Sequence, residues 1–216
     1  IGQKIENELR FSKKVSFQLE AGEWEIIDRD IWFFGGIKIR LITLAQIAND
    51  KIVAIREFQE GNLSGGYQSD LNMAIVEYLY KNKYDGCYTR PEYTLLKKYR
   101  KGNSHNCLII NHIDPSKEIY TPDDPDSYID RMHIRSYIED NNLELPNNML
   151  SSTHAYFSRI VSNYLYTAVY IDSPQRLGAH ENNFRSEETS EYHPSNINKY
   201  PEYKKYMDKF IEISSL

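Results

Sequence analysis

Residues 23–57 read EWEIIDRDIWFFGGIKIRLITLAQIANDKIVAIRE, and this stretch decides the fold. Apolar and polar residues alternate from Glu23 to Arg29 and from Lys38 to Leu44, which is the period of a half-buried strand. Gly35–Gly36 and Asn49–Asp50 supply turn residues between these runs. Because the strands follow one another at a spacing of about ten residues, with no room for crossover helices, the stretch predicts an antiparallel meander.

The rest of the chain is predicted to add helices and more strands. The predicted helices are residues 69–82, Thr89–Gly102, Ser127–Asn141 and a final helix from Pro201; the predicted strands are Val15–Leu19, Cys107–Asn111, Ala155–Val161 and Leu165–Ile171. Asp114–Pro115 and Gly178–Ser195 read as loops. The expected fold is α+β: a meander of four to five strands, then helices and two to three further strands.

No linker divides the sequence, since Gly61–Gly66 is too short to separate two domains. We therefore expect one domain over residues 1–216. Its β-meander part spans residues 1–60, its mixed helix and strand part spans residues 61–216, and the two parts are expected to share one core.

Charge and hydropathy exclude two broad classes of function. The chain has 26 Lys and Arg against 31 Asp and Glu, a net charge of −5, which argues against a nucleic-acid partner. No apolar run approaches the roughly 20 residues of a membrane-spanning helix. The sequence begins at Ile1 rather than Met, so it is truncated or processed, and we expect a signal peptide to have been removed.

The two cysteines, Cys87 and Cys107, predict a disulfide. A disulfide indicates an oxidising compartment, so we expect a periplasmic or extracellular protein. Two alternatives stay open: both cysteines are buried thiols of a cytoplasmic protein, or Cys107 is a reactive thiol.

The densest group of reactive residue types is Ser104-His105-Asn106-Cys107. His105 and Cys107 are two residues apart, so a strand places them on one face. A thiolate beside a histidine can act as a nucleophile, and a hydrolase or thiol-dependent enzyme centred on His105, Cys107 and His112 is the alternative function. A disulfide at Cys107 would remove this site.

Metal and cofactor sites have no specific signature. His112 with Asp114, and Glu191 with His193, have the two-residue spacing of a shared strand face, but no His-Glu-x-x-His or paired Cys-x-x-Cys motif is present. Ser151-Ser152-Thr153-His154 lacks the Gly-x-Ser-x-Gly context of a hydrolase. We expect no metal and no cofactor.

Aromatic residues in the meander are the candidate ligand contacts. Trp24 and Trp32 could line a groove, although core packing is the favoured interpretation for most of this aromatic group. Because three consecutive aromatics, Trp32 to Phe34, cannot share one strand face, at least one must point outward or be covered by helices. The expected function is an exported, non-catalytic module that binds a small ligand or an envelope protein.

Overall fold

The computed structural model describes residues 1–11, 15–34, 37–62, 87, 91–100, 104–120, 132–158, 163–172 and 188–214. Within these residues the centre of the molecule is an eight-stranded antiparallel sheet. The described strands are β1 Lys4–Ile5, β2 Glu8–Arg10, β3 Ser16–Gln18, β4 Trp24–Phe34, β5 Ile37–Ala48, β6 Lys51–Asn62, β7 Thr94–Arg100, β8 Ser104–Ile113, β9 Met149–Ser158 and β10 Asn163–Asp172. The described α-helices are α1 Pro115–Tyr120, α2 Met132–Asp140 and α3 Pro201–Ser214, and 3₁₀ turns lie at Pro91–Tyr93 and Ile197–Lys199.

The strand order in the large sheet is β1-β4-β5-β6-β10-β9-β8-β7. The strands β4, β5 and β6 form the predicted meander, so the α+β fold with an N-terminal meander is confirmed. After β6 the sheet continues with β10, which pairs Thr167 with Phe58. The other two strands, β2 and β3, form a separate hairpin.

Both faces of the sheet are covered. On the face that we call the hairpin face, side chains of the large sheet pack against the β2–β3 hairpin and α3. The buried members of this cluster are Leu9, Phe11, Phe17, Leu19, Trp24, Ile26, Leu44, Ala54, Phe58, Ile110, Leu150, Tyr192 and Phe210. They come from before and after residue 61.

The opposite face, which we call the helix face, packs against α1 and α2. Its buried members are Ile27, Ile39, Ala45, Ile52, Ile55, Ile113, Ile119, Ile134, Ile138, Met149 and Ala155. A register shift in β4 between Ile26 and Asp28 changes which residues face which side beyond that point. Arg29 and Ile31 consequently lie on the hairpin face, across from Ile42 and Arg40 of β5.

The helix predicted over Thr89–Gly102 is wrong in its described part. Residues Pro91–Tyr93 form a single 3₁₀ turn, and β7 follows at once. Thr94–Arg100 has good helix formers, but its main chain pairs with β8, for example Lys97 with Cys107. Tertiary pairing overrides a weak local preference here.

The predicted Val15–Leu19 strand forms as β3 and pairs with β2. Two further predictions need correction. Pro115, expected in a loop, begins α1, and the Asp114 carboxylate caps that helix by accepting the N–H of Ser116 at 3.0 Å. In its described part, residues 188–195, the expected surface loop Gly178–Ser195 includes two buried residues, Ser190 and Tyr192.

Other elements are confirmed. The predicted strands Ala155–Val161 and Leu165–Ile171 correspond to the paired strands β9 and β10. The last helix begins at Pro201 and buries Phe210. The predicted Ser127–Asn141 helix is described from Met132 to Asp140. The helix predicted for residues 69–82 lies outside the described residues.

Candidate functional site

The cysteines Cys87 and Cys107 form a disulfide. Their Cα atoms are 6.3 Å apart, the bridge joins residues 20 positions apart, and both residues are fully buried. Lys97 Nζ of β7 donates a hydrogen bond to the Cys87 carbonyl oxygen at 3.2 Å. A disulfide-bonded sulfur is neither a thiolate nor a base, so Cys107 cannot act as a nucleophile in this state.

The three residues of the alternative thiol site are not brought together. His105 and Cys107 lie on the helix face of β8, as their two-residue spacing predicted. His112 lies on the hairpin face of the same strand, across from Leu150. Seven positions along a strand is an odd number, which is why His105 and His112 face opposite sides.

A hydrogen-bonded chain surrounds His112. The Nε2 atom of His112 is 3.0 Å from Asn148 Oδ1, and its Nδ1 atom is 2.6 Å from Ser190 Oγ. Because the Asn148 oxygen only accepts, Nε2 carries the proton, and the Ser190 hydroxyl donates to Nδ1. Ser190 Oγ also accepts the N–H of Tyr192 at 3.1 Å, and the ring of Tyr192 packs on that of His112 with centroids 5.0 Å apart.

The hydrogen-bonded residues around His112 are buried, and this limits their role. His112 and Ser190 are 1% and 5% exposed, so the hydroxyl has no open approach for a substrate. Burial also lowers the pKa of His112, because the charged imidazolium loses its hydration. The arrangement fastens the segment around Ser190 to the sheet in the neutral state of the histidine.

The aromatic pair expected to line a groove is split between the two faces. Trp24 is 0% exposed on the hairpin face, and its indole N–H donates to the Glu20 carbonyl oxygen at 3.0 Å. Trp32 lies on the helix face and packs against that cluster. Phe33, in contrast, is exposed, in line with the expectation that one of three consecutive aromatics points outward.

An open pocket lies where the β2–β3 hairpin stops covering the hairpin face. Its volume is about 520 Å³, which is within the range of small-ligand sites. It is lined by Arg10, Phe11, Arg29, Asp30, Ile31, Arg40, Leu41 and Ile42, and we call it the arginine groove. Its cationic side chains come from three strands, β2, β4 and β5.

Electrostatics favour an anion in the arginine groove. Arg40 Nη2 donates to Glu60 Oε2 at 2.6 Å, and its guanidinium lies 6.0 Å from the centre of the Phe11 ring. Arg29 Nη2 donates to Gln3 Oε1, a neutral group, at 3.2 Å. Three arginines line the groove in a chain whose net charge is −5; Arg40 is ion-paired with Glu60, and the Asp30 side chain belongs to the helix face of β4.

The sequence held part of the signal for this groove. Alternation in β5 places Arg40 in one row with Ile42, and alternation beyond the β4 bulge places Arg29 in one row with Ile31. The bulge and the site where the hairpin crosses the sheet are tertiary features, so the two rows could not be matched in advance.

Comparisons with known proteins give no family. No protein-family model matches the chain, and no curated protein matches its sequence. The structure of a possible transcriptional regulator, YydK from Bacillus subtilis, aligns over 70% of this chain with 9% identity and a TM-score of 0.30; this chain spans 57% of that structure.

Two further structures are similar at the same level. The C-terminal domain of Yurk from Bacillus subtilis aligns over 68% of this chain and 86% of its own, at 7% identity and a TM-score of 0.28. The gene product SA0254 from Staphylococcus aureus aligns over 68% of this chain and 82% of its own, at 8% identity and a TM-score of 0.28.

Among the described residues no helix has both the length and the apolar character needed to cross a membrane. In the same residues no three or more His, Cys, Asp or Glu side chains are grouped so that they could hold a metal ion.

Proposed function

We propose that this protein is an exported, non-catalytic binding module whose arginine groove binds the anionic part of a small ligand or partner protein. The observation that carries the proposal is the convergence of Arg10, Arg29 and Arg40 on one open pocket of an acidic protein. Guanidinium groups bind carboxylates and phosphates with two parallel hydrogen bonds. The disulfide supports the oxidising compartment, since such bonds persist outside the cytoplasm.

The apolar lining indicates what accompanies the anionic group. Phe11 and Ile42 flank the arginines on the hairpin face, so a ligand with an acidic group and an apolar body would contact both. The enzyme alternative has less support, because Cys107 is bonded to Cys87 and His112 lies on the other face of β8.

The test uses anilinonaphthalene sulfonate, a fluorescent dye with a sulfonate and an aromatic body. We expect the parent protein to bind it, and the double substitution Arg10→Gln with Arg29→Gln to weaken the dissociation constant about tenfold, the effect of losing about 1.4 kcal/mol of charge-assisted hydrogen bonding. Fluorescence titration at neutral pH measures this constant.

A matched control removes a cation elsewhere. Lys205 is exposed on α3 and outside the groove, so Lys205→Gln should leave dye binding unchanged. Equal affinities for the parent and the double arginine variant would show that the dye binds elsewhere, and the proposed site would be wrong.

A further inference from the structure

We propose that the partner of the arginine groove is an extended acidic peptide segment, which pairs as an added strand with the open edge of β4. This inference rests on the proposed function of the groove and names the ligand class. Strand addition of this kind takes its affinity from main-chain hydrogen bonds and its specificity from alternate side chains.

β1 covers the start of the outer edge of β4. It pairs Lys4 with Glu25 and Ile5 with Trp24, and the preceding residues Gly2 and Gln3 form two hydrogen bonds with the main chain of Ile26. Among the described residues no strand pairs with the outer side of Arg29, Ile31 and Phe33. The segment from Arg29 to Phe33 has the length of a short strand.

The main chain and the side chains of this edge indicate the same use. In an antiparallel ladder only alternate residues bond to one neighbour, so the others direct N–H and C=O groups to the opposite side. Ile31 is one of these: its N–H is directed away from β5 and is donated to Asp30 Oδ1 at 2.7 Å, a local bond that the carbonyl of an added strand would replace. Ile31 and Phe33 are also 51% and 69% exposed, unusual values for large apolar residues of a paired strand.

Charge near the edge selects an acidic partner. Arg29 lies on the hairpin face of β4, and Lys38 and Arg40 lie on that face of the adjacent strand, across from Phe33 and Ile31. Side chains of an added strand that point to this face would lie beside Arg29, with Lys38 and Arg40 one strand further away and Arg40 ion-paired with Glu60. On the helix face the edge presents Asp30, so the acidic residues must occupy every second position only.

The same charges disfavour a second copy of this chain. Pairing β4 with itself about a two-fold axis would bring Arg29, Lys38 and Arg40 of both copies to one face of the joined sheet. Like charges on neighbouring strands are destabilising. One such register would also place Asp30 opposite its own copy.

The experiment uses a synthetic heptapeptide of alternating Glu and Val. Peptide residues whose main chain bonds to β4 lie opposite Arg29, Ile31 and Phe33, and their side chains lie on the same face as these three residues. The Glu residues therefore donate their N–H groups to β4, and the N–H groups of the Val residues point away from β4. Methylating the Glu amide nitrogens should therefore weaken binding about tenfold or more, whereas methylating the Val amide nitrogens should change it by less than about twofold. Isothermal titration calorimetry measures both; equal affinities would overturn strand addition.

Two exposed residues provide the matched protein variants. Ile31 on β4 is 51% exposed and Leu95 on β7, the opposite edge of the sheet, is 50% exposed. Ile31→Ser should weaken binding of the peptide and Leu95→Ser should not. The reverse result would move the peptide to β7 and overturn the inference.

The dye titration separates the two proposals. If the arginine variant loses dye binding while both methylated peptides bind equally, anion binding in the arginine groove is supported and strand addition is wrong. If the arginine variant binds the dye as well as the parent does but the two methylated peptides differ in affinity, strand addition at β4 is supported and anion binding in the groove is wrong. A concentration-dependent dimer in light scattering that Ile31→Ser abolishes would make a second copy the occupant and overturn the peptide inference.

Discussion

The two edges of the eight-stranded sheet are protected in different ways. At β7 the exposed residues Lys97 and Lys98 lie on opposite faces, and a bulge lies between Thr94 and Leu96. Lysines and bulges are the usual features that stop an edge from pairing with another chain. At β4 the exposed edge residues Ile31 and Phe33 are apolar, although this strand has a bulge as well.

The difference between the two edges indicates that charge alone does not prevent an edge strand from pairing with another chain. Both edges carry cations, but at β7 they alternate between faces, whereas Arg29 of β4 shares one face with Lys38 and Arg40 of β5. Lysines on both faces hinder pairing with an apolar or basic strand, and cations on one face accept a strand with acids on the matching face.

The largest expected effect is loss of the disulfide, which anchors β8 beside the β7 edge. The double substitution Cys87→Ser with Cys107→Ser should lower the free energy of unfolding by about 3 kcal/mol, because the unfolded chain regains the freedom of a loop of this length. Urea denaturation measures the change. Alkylation of the denatured, unreduced parent, followed by intact mass measurement, should add no label.

The groove provides the control for this variant. Arg29 and Arg40 lie at the other end of the sheet from β7, so dye affinity should match that of the parent under native conditions. A parallel loss of dye affinity would show that the two edges depend on each other, and the comparison between them would fail.

Local patterns predicted the meander but not its partners. Alternation between Lys38 and Leu44 and within the stretch that became β9 and β10 is a local signal, and those strands formed. Thr94–Arg100 has no such alternation of apolar residues, and β8 alone determines that it is a strand. The sequence of a single strand does not determine which distant strand it pairs with.

The candidate site was predictable to a similar degree. The disulfide followed from a count of two cysteines, and it formed. The bonding of Ser190 to His112, 78 residues apart, had no signal in a polar stretch that reads as loop. Trp24 and Trp32 are eight apart, which places them on one strand face, but the bulge at Ile26/Asp28 moved them to opposite faces.

A second prediction concerns acid, which should act on the β8–β9 half of the sheet. The first histidine of the chain is His105, so β4–β6 contain none, whereas β8 and β9 contain His112 and His154, both with pKa values lowered by burial. A lowered folded pKa means that the unfolded chain binds more protons just below the unfolded value of about 6.5. Stability is therefore complete above that pH and is lost as the pH falls from there toward the folded pKa.

Urea titrations at about pH 7.5 and about pH 5.5 measure this loss, which spans the unfolded histidine value. His112→Gln should reduce the difference between the two conditions, and His133→Gln, at an exposed position on α2, should not. Hydrogen exchange should place the acid-induced opening in β8 and β9. Opening that begins in β5 instead would contradict the assignment to His112 and His154.

The smallest expected effects on stability come from replacing a lysine at the β7 edge by an apolar residue and an apolar residue at the β4 edge by lysine. Lys98→Val on β7 and Phe33→Lys on β4 change exposed side chains, so each should shift the free energy of unfolding by less than about 0.5 kcal/mol. Association should change at β7 alone. Static light scattering at rising concentration should show more aggregation for Lys98→Val, because a repelling cation is replaced by a strand-forming apolar residue, and no change for Phe33→Lys, because the cations beside β4 already disfavour a second copy.

This pair of variants separates the side chains of an edge from its main chain. Both substitutions leave the N–H and C=O groups of β4 and β7 in place, so any change in association comes from the residues that border them. If Lys98→Val aggregates no more than the parent, the lysines do not protect β7, and the bulge at Thr94/Leu96 is left as the feature that does. In that case the β4 edge, whose bulge lies between Ile26 and Asp28 and before the exposed residues Ile31 and Phe33, differs from β7 by the position of its bulge and not by its charges.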